Sequence, residues 1–365
     1  MQAPPLPIRS IHHIELLVGN AKQASFYYRN SFGFDQVAYA GPETGNRDMA
    51  SYLLRQGNMH IILSTPLNPE HPHSEFLKLH GDSVLDIAFE VDNTDTTYKN
   101  AIERGALNVR EPKITGNDKN GKIKSAAIRT YGDTVHSFIE KGNFSGTFLP
   151  GFEPFAIKGK STGILFPDHI VGNVEDRKMD YWVNWYKSVF GFHKFASFDD
   201  KDISTEFSSL RSTVVADQNE TIKFPINEPA EGRSKSQIQE YVESYGGAGV
   251  QHVAFLTGDI VDTISLLSEQ GVEFLEIPDT YYDSLLDRVA PIDEDIDVLR
   301  KLGILVDRDD RGYLLQLFTK PVADRPTLFY EIIQRKGCRG FGKGNFKALF
   351  ESIEREQKRR GNLDL

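Results

Sequence analysis

Hydrophobic and polar residues alternate most clearly in two short runs near the end of the chain, within Arg311–Arg335. A loop of Lys, Pro, Asp and Arg separates the runs, so the pattern predicts two strands. Successive strand side chains point to opposite faces, and we therefore expect Phe329, Glu331 and Ile333 to share one face. A carboxylate in such an apolar run is costly to bury unless a cation or metal compensates it. Glu331 is therefore either a solvent-facing residue of an edge strand or the neighbour of a positive charge.

The chain contains an internal repeat. His12–Phe34 and Asp168–Phe192 each predict a strand beginning at His-Ile, then an aromatic-rich amphipathic helix, then Phe-Gly-Phe. Further matches follow in the same order: Thr65–Pro72 with Phe224–Glu231, Leu85–Val91 with Gln251–Thr257, and Val135–Lys141 with Thr327–Ile333. Matches in one order indicate a duplicated unit.

The repeat determines the predicted fold class. Each copy gives a strand, a helix and several further strands, which predicts an α+β fold of curved mixed sheets cupping a cavity. The segment Lys141–Pro167 is rich in Gly, Pro and Ser and is predicted to link the copies. We predict an N-terminal domain over residues 1–150 and a C-terminal domain over residues 161–365. Asn345–Arg360 has apolar residues at helical spacing and a basic last turn, which predicts a C-terminal helix.

Composition excludes several classes of protein. The net charge of −10 and the lack of a basic run argue against nucleic acid and anionic membranes as partners. No apolar run is long enough to span a bilayer, and the N-terminus does not resemble a secretory signal. The single cysteine, Cys338, excludes an intrachain disulfide and a thiolate cluster. These features predict a cytoplasmic protein.

Comparison of the two copies singles out three possible metal ligands in the second copy, namely His169, His252 and Glu331. Their expected counterparts in the first copy are His13, Asp86 and Glu140. Two histidines and a carboxylate on three strands can occupy one face of an octahedral metal, as in non-haem iron(II) oxygenases. Each histidine taken alone is more often a packed or surface residue. The matched positions favour the metal site, and we expect the first copy to be metal-free and structural.

Longer motifs carry a resemblance to a known family. They are Pro225–Pro229, Lys235–Tyr241, Gly247–Phe255, Leu302–Pro321, Arg325–Arg335 and Gly340–Phe346. Together they resemble the 4-hydroxyphenylpyruvate dioxygenase family, over nearly the whole chain and most densely in its second half. The resemblance implies the vicinal oxygen chelate fold, which agrees with the duplication.

The resemblance also implies roles for individual residues. His169, His252 and Glu331 match the ligands of iron(II), the implied cofactor. The residues matching substrate-binding positions are Ser212, Asn227, Gln237, Gln251, Gln316, Phe318, Phe329, Phe341, Asn345 and Phe346, and Gln316, Asn227 and Gln237 also match catalytic positions. Side-chain alternation along the strands is consistent with one pocket for most of these residues. Gln251 is next to His252, however, and should face away from that pocket unless a bulge intervenes. Without the resemblance, the phenylalanines would be read as ordinary core residues and Ser212 as an exposed strand serine.

The reaction implied is conversion of 4-hydroxyphenylpyruvate and O₂ to homogentisate and CO₂, in tyrosine catabolism. The substrate carries its own α-keto acid, and the C-terminal helix after a Gly-rich hinge is expected to act as a lid. The resemblance implies a homo-oligomer, either dimer or tetramer. Three alternatives share the fold: 4-hydroxymandelate synthase, a ring-cleaving dioxygenase that needs a catechol, and a non-catalytic binding protein that needs no metal triad.

Overall fold

A computed structural model describes residues 3–199, 209–230, 232 and 235–361 of the chain. Two sheets dominate it, one in each half. The strands of the first half are β1 (Ile8–Leu17), β2 (Asp35–Ala40), β3 (Met49–Gln56), β4 (Met59–Pro66), β5 (Ser83–Val91), β6 (Leu107–Asn117), β7 (Gly121–Arg129), β8 (Val135–Glu140) and β9 (Glu153–Ile157). Its helices are α1 (Ala21–Ser31), α2 (Pro72–His80) and α3 (Thr94–Glu103).

The second half repeats this arrangement and adds helices. Its strands are β10 (Ile164–Asn173), β11 (His193–Phe198), β12 (Ser209–Ala216), β13 (Lys223–Ala230), β14 (Gly249–Thr257), β15 (Leu305–Arg308), β16 (Tyr313–Phe318) and β17 (Phe329–Lys336). Its helices are α4 (Met179–Val189), α5 (Gln237–Tyr245), α6 (Ile260–Glu269), α7 (Thr280–Asp283), α8 (Leu285–Val289), α9 (Ile296–Leu302) and α10 (Phe346–Arg359). None of the helices in the described ranges is long and apolar enough to cross a bilayer.

The strand orders confirm the duplication. The first sheet runs β6-β7-β8-β5-β1-β4-β3-β2-β9 and the second runs β11-β12-β13-β10-β14-β17-β16-β15. In both halves the first strand pairs antiparallel with one neighbour and parallel with the other. β1 is antiparallel to β5 and parallel to β4, and β10 is antiparallel to β14 and parallel to β13. The predicted linker is not a simple connection, because it contains β9 and the start of β10.

The edge-strand interpretation of Glu331 is wrong. β17 lies between β14 and β16, and Glu331 is only 3% exposed. Tyr330 points to the opposite face, as alternation requires, and its hydroxyl lies 2.6 Å from that of Tyr28 in the first half. The phenyl ring of Phe32 packs edge-on against both Tyr330 and Phe255. Aromatic residues of the two halves thus form one continuous core.

Strand register corrects one assignment made from the repeat. Asp86 is the counterpart of His252, because Glu15 pairs with Asp86 as Val171 pairs with His252. The pairing of β5 with β8 can be compared in the same way with that of β14 with β17. In this comparison Ser137, and not Glu140, is the counterpart of Glu331. The Glu140 carboxylate instead accepts a hydrogen bond from the Thr94 amide at the start of α3. The short sequence match was aligned a few residues out of register.

His80, the last residue of α2, contacts the second half of the chain. Its ring is buried, with Nδ1 2.8 Å from the Tyr245 carbonyl oxygen and Nε2 3.1 Å from the Asp133 carboxylate. It joins α2 of the first half to α5 of the second and has a structural role.

Candidate metal centre and its cavity

Three neighbouring strands bring the predicted ligands together. His169 lies on β10, His252 on β14 and Glu331 on β17, which are consecutive in the second sheet. Oε2 of Glu331 is 3.0 Å from Nε2 of His169 and 3.4 Å from Nε2 of His252. One ligand atom from each residue lies within 4.8 Å of the others, and all three side chains are buried. Two imidazoles and a carboxylate at this spacing fit a divalent transition metal, and the set is the one used by non-haem iron(II) enzymes.

Each ligand histidine follows a β-bulge residue that hydrogen-bonds its ring. The ladder between β10 and β14 skips Asp168 on one strand and Gln251 on the other. His169 Nδ1 donates to Asp168 Oδ1 at 2.8 Å, and His252 Nδ1 donates to Gln251 Oε1 at 3.0 Å. A bulge re-aims the extra residue, which explains how Gln251 and His252 reach the same cavity. Both rings are thereby held with Nε2 directed at Glu331.

Asp168 is itself fixed by Arg335, and sequence reasoning missed both residues. Arg335 donates to the two carboxylate oxygens from Nε at 2.7 Å and Nη2 at 2.8 Å. Its remaining nitrogen donates to the Gly340 carbonyl at 2.7 Å, and the guanidinium lies over the Phe341 ring. Arg335 lies four residues after Glu331 in a strand, so the two share a face. That spacing was the signal that could have revealed it.

The protonation states follow from burial and from these pairs. Burial raises the pKa of Asp168, but the Arg335 guanidinium outweighs it and holds that pKa well below its usual value. Burial likewise opposes ionisation of Glu331, yet the imidazoles of His169 and His252 lower its pKa to about 2. Burial lowers the pKa of His252. The site therefore presents an ionised carboxylate and a neutral His252 ring to a metal.

The ligands lie at one side of a cavity that opens to solvent. Of the residues expected to bind substrate, the cavity is lined by Ser212, Asn227, Gln237, Gln251, Gln316, Phe318, Phe329, Phe341 and Phe346. Further lining residues are Val171, Phe198, Leu210, Val214, Pro225, Leu349, Phe350 and Ile353. On β12, β13 and β16 the lining residues are two positions apart in each strand, as side-chain alternation requires.

Aromatic rings surround the metal ligands. Phe329 stacks on His252 with ring centroids 4.8 Å apart, and Phe341 meets His169 edge-on at 5.1 Å. Phe318 packs edge-on against both His252 and Phe329. These rings make the wall beside the ligands apolar and restrict the movement of both imidazoles.

Three polar residues line the cavity from β12, β13 and the start of α5. Ser212 and Asn227 are direct partners in the ladder between β12 and β13, and Asn227 Nδ2 donates to Asn173 Oδ1 at 3.2 Å. Gln237 is the first residue of α5, which follows the Ser236 cap. We call Ser212, Asn227 and Gln237 the polar patch of the cavity, whose other polar lining residues are Gln251, Gln316 and the three candidate ligands.

Asn345 is placed elsewhere. Its side chain is buried outside the cavity lining, where its Oδ1 accepts a hydrogen bond from the Tyr281 hydroxyl at 2.6 Å. The residue after it starts α10, so Asn345 lies at the base of that helix. The expected direct contact with substrate is therefore not supported by the position of this side chain.

Helix α10 covers the cavity. Phe346, Leu349, Phe350 and Ile353 line the cavity from one face of the helix, matching the predicted apolar positions. Phe350 packs with Leu210 and Ile238, while Ala348 packs with Phe318 on the opposite wall. Beyond the helix, Arg360 forms an ion pair with Glu240 of α5 at 2.8 Å.

Comparisons with known proteins agree with this geometry. Residues 3–148 match the family model described as hydroxyphenylpyruvate dioxygenase, N-terminal, and residues 167–317 match that of the glyoxalase/bleomycin resistance protein/dioxygenase superfamily. The 4-hydroxyphenylpyruvate dioxygenase of Xenopus tropicalis is 49% identical, with 98% of this chain and 93% of the relative covered. That of Dictyostelium discoideum is 48% identical, with 96% and 99% covered.

A solved structure shares the whole fold. A triple mutant of 4-hydroxymandelate synthase from Streptomyces coelicolor superposes with a TM-score of 0.87 at 32% identity, covering 96% of this chain and 99% of that one. The full-length relatives, the matched N-terminal model and the buried His-His-Glu cluster lead to one assignment. The chain belongs to the 4-hydroxyphenylpyruvate dioxygenase family and has its duplicated vicinal oxygen chelate fold.

Proposed function

We propose that this protein is a non-haem iron(II) dioxygenase that converts 4-hydroxyphenylpyruvate and O₂ to homogentisate and CO₂. The observation that carries the proposal is the position of Glu331 Oε2, within 3.4 Å of both ligand nitrogens, at the wall of an apolar cavity. Relatives named 4-hydroxyphenylpyruvate dioxygenase are 46–49% identical to this chain over nearly its whole length, which supports the choice of substrate. His169, His252 and Glu331 would hold the iron, which when bound supplies the O₂ activation that the reaction needs.

The chain's own residues bind and orient the substrate. Phe318, Phe329 and Phe341 provide faces and edges against which a phenyl ring packs. The polar patch of Ser212, Asn227 and Gln237 is suited to the phenol hydroxyl, which both donates and accepts hydrogen bonds. β12 is separated from β10 by one strand, so Ser212 lies roughly 10 Å across the sheet from the strand of His169. A para-substituted phenylpyruvate can span that separation with its keto acid at the ligands.

Exclusion of water is the second task of the cavity. The apolar face of α10 and the rings beside the ligands surround the reacting groups, which limits side reactions with solvent. Gln316 and Gln251 place amide groups near the ligands, where they can hydrogen-bond the substrate's keto acid. These amides orient the substrate without adding charge to the site.

4-Hydroxymandelate synthase is the second candidate, because its solved structure superposes over nearly the whole chain. Relatives named for the homogentisate-forming enzyme are more similar, at 49% against 32% identity. Pro225 and Asn227, which belong to the motif that resembles the homogentisate-forming enzyme, both line the cavity. We therefore favour homogentisate as the product.

The test is anaerobic reconstitution with iron(II), followed by O₂ uptake and product analysis with 4-hydroxyphenylpyruvate. We expect one O₂ consumed per substrate, with homogentisate identified by mass and NMR. 4-Hydroxymandelate as the main product would show the second candidate to be right. Iron binding without O₂ uptake, or no bound iron, would contradict both enzymes and favour a binding protein. Phenylpyruvate is the matched control substrate, and we expect it to turn over poorly because it leaves the polar patch unpaired.

The oligomeric state and the cellular compartment of the protein are also expected from its sequence. We propose a cytoplasmic homo-oligomer, as the composition and the resemblance imply. Sedimentation should then give a mass that is a multiple of the 41.2 kDa chain. Cell fractionation would test the location.

A further inference from the structure

A second cluster of metal-ligating side chains lies in the N-terminal sheet, away from the centre described above. His13 and Glu15 project from β1 and Asp86 from β5, with one ligand atom of each within 4.8 Å of the others. Glu15 and Asp86 are direct partners in the ladder between these strands. His13 and Asp86 are buried. β1 and β5 are the counterparts of β10 and β14, which carry the histidines of the catalytic centre.

The cluster is related to that centre by the duplication but not identical to it. His13 occupies the position of His169, and Asp86 that of His252. Ser137 stands where Glu331 supplies the third ligand, so this carboxylate has no counterpart on β8. Glu15, at the position of Val171, supplies a carboxylate from β1 instead. The first half thus retains three potential ligands, with one moved to a different strand.

The hydrogen bond that orients the histidine is also present in the first half. The ladder between β1 and β5 skips His12, just as that between β10 and β14 skips Asp168. Nδ1 of His12 and Nδ1 of His13 lie 2.7 Å apart, so one donates to the other. Nε2 of His13 is left free of this bond. Metal-binding histidines are commonly fixed through their other ring nitrogen in this way.

Hydrogen bonds from neutral groups hold the two carboxylates of the cluster. In the described part of the chain, no lysine or arginine forms an ion pair with Glu15 or Asp86. Ser64 Oγ donates to Glu15 at 2.6 Å and the Ser137 amide donates to Asp86 at 2.9 Å. Burial raises the pKa of Glu15 to about 7 and that of Asp86 to about 6, and Arg110 opposes these shifts only in part. Ionising one buried and one half-buried carboxylate side by side without a cation is costly, and a divalent ion would compensate both charges.

We propose that His13, Glu15 and Asp86 bind a second divalent metal ion, which holds β1 to β5. One imidazole nitrogen and two carboxylate oxygens suit a first-row transition ion such as Zn²⁺ better than Mg²⁺ or Ca²⁺, which prefer oxygen alone. An access route exists, because His12 and Phe148 beside the cluster also line an open cavity of this sheet. The N-terminal domain, expected from the repeat to be metal-free, would then be a metal-binding domain.

The test measures how many zinc ions each chain binds with and without the two carboxylates of the cluster. Full-length protein is stripped with a chelator, dialysed against Zn²⁺ and analysed by elemental mass spectrometry beside the double variant Glu15→Gln/Asp86→Asn. We expect the variant to bind one Zn²⁺ per chain fewer than the unaltered protein. This difference does not depend on how fully the catalytic centre is loaded. His60→Ala is the control, because His60 lies near His12 and His13 but outside the cluster, and it should leave the count unchanged.

A second measurement uses the unaltered protein and is therefore informative even if the double variant folds poorly. Crystals of the unaltered protein with Zn²⁺ should give an anomalous peak between His13 and Asp86, separate from any peak at Glu331. The absence of that peak, or an equal zinc count in the double variant and the unaltered protein, would overturn the proposal. Zn²⁺ should also raise the melting temperature of the unaltered protein more than that of Glu15→Gln. An equal rise in the two would count against the site.

Discussion

Arg335 donates two hydrogen bonds to Asp168, and Asp168 in turn accepts one from the ring of His169. The guanidinium therefore acts on the candidate metal centre through two intervening groups and does not line the cavity. Arg335 also binds the Gly340 carbonyl in the segment before α10. It is a positioning residue that joins the metal ligands to the base of the helix covering the cavity.

We expect Asp168→Asn to lower the affinity for iron(II) by roughly 10–100-fold, the usual cost of losing the outer partner of a ligand histidine. The physical reason is that a neutral amide holds the His169 tautomer less firmly than the carboxylate does. It also leaves the positive charge of Arg335 without a negative partner. Anaerobic metal titration measures the affinity. Asp287→Asn, which removes an exposed carboxylate on α8, is the control for general effects of charge removal. Equal affinity in Asp168→Asn and the unaltered protein would contradict the positioning role.

We expect Glu331→Gln to keep the fold and to lose iron binding by a larger factor than Asp168→Asn, together with turnover. The amide supplies only a neutral oxygen where the site needs a negative charge. Glu140→Gln is the matched control, because register places that carboxylate at α3 and not at the ligands. Iron content, O₂ uptake and melting temperature are compared in the two variants. Full activity in Glu331→Gln would refute the ligand assignment.

Gly342 is required by its close approach to Gln316. Its φ is +77°, and a Cβ there would lie 2.4 Å from Gln316 Nε2. We expect Gly342→Ala to displace the Gln316 amide and lower kcat/KM by up to about 100-fold, as a 1 Å misplacement can do. Gly271→Ala is the control, since its φ of +85° has the same backbone cost with open space around the Cβ. Similar steady-state kinetics in the two variants would show that Gln316 is unaffected.

The carboxylate of Asp309 fastens the segment before α10. It accepts hydrogen bonds from the backbone amides of Arg311 and Gly312 on one oxygen and of Arg339 and Gly340 on the other. Burial opposes ionisation, but the backbone amides of Arg311, Arg339 and Gly340 and the side chain of Cys338 lower its pKa to about 2, from the usual value of about 4. A depressed carboxylate pKa stabilises the fold above pH about 4, and that contribution is lost as the pH falls toward 2.

We therefore expect Asp309→Asn to reduce the free energy of unfolding by about 1–3 kcal/mol at pH 7. The difference between variant and unaltered protein should shrink as the pH falls from 4 toward 2, because the carboxyl group of the unaltered protein is protonated first in the unfolded state and then in the folded state. Urea unfolding at several pH values measures it. A difference that does not change with pH would show that shape, and not charge, is responsible.

Removing residues 345–365 should abolish turnover and leave iron bound. The deletion takes away the apolar face that α10 presents to the cavity, whereas the three ligands lie on strands of the sheet. Arg360→Ala is a milder variant, which loses the ion pair to Glu240 and should raise KM more than it lowers kcat. Metal content and turnover are measured together. Normal turnover by the shortened protein would show that α10 is not needed as a lid.

Much of the site could be predicted from the sequence because strand side chains alternate with a fixed period. The pairs Phe329 with Glu331 and Gln316 with Phe318 follow from that period alone, and all four residues lie at the cavity. The repeat then identified His169 and His252 as partners of Glu331. The apolar spacing in α10 likewise predicted the face that covers the cavity. The strand and helix periods depend on residues close together in the chain, and the repeat depends on short motifs that recur in the same order in both halves.

Register between distant strands was decided only by the tertiary structure. Whether Gln251 shares a face with His252 depends on a bulge, and a bulge is set by how two strands about 80 residues apart are paired. The same ladders placed Ser137, and not Glu140, at the position of Glu331, and brought Glu15 beside Asp86. Arg335 and Asp168 are likewise partners only because β17 and β10 lie in one sheet. The local period of a strand is written in its sequence, but the pairing that gives each side chain its neighbours is a property of the whole fold.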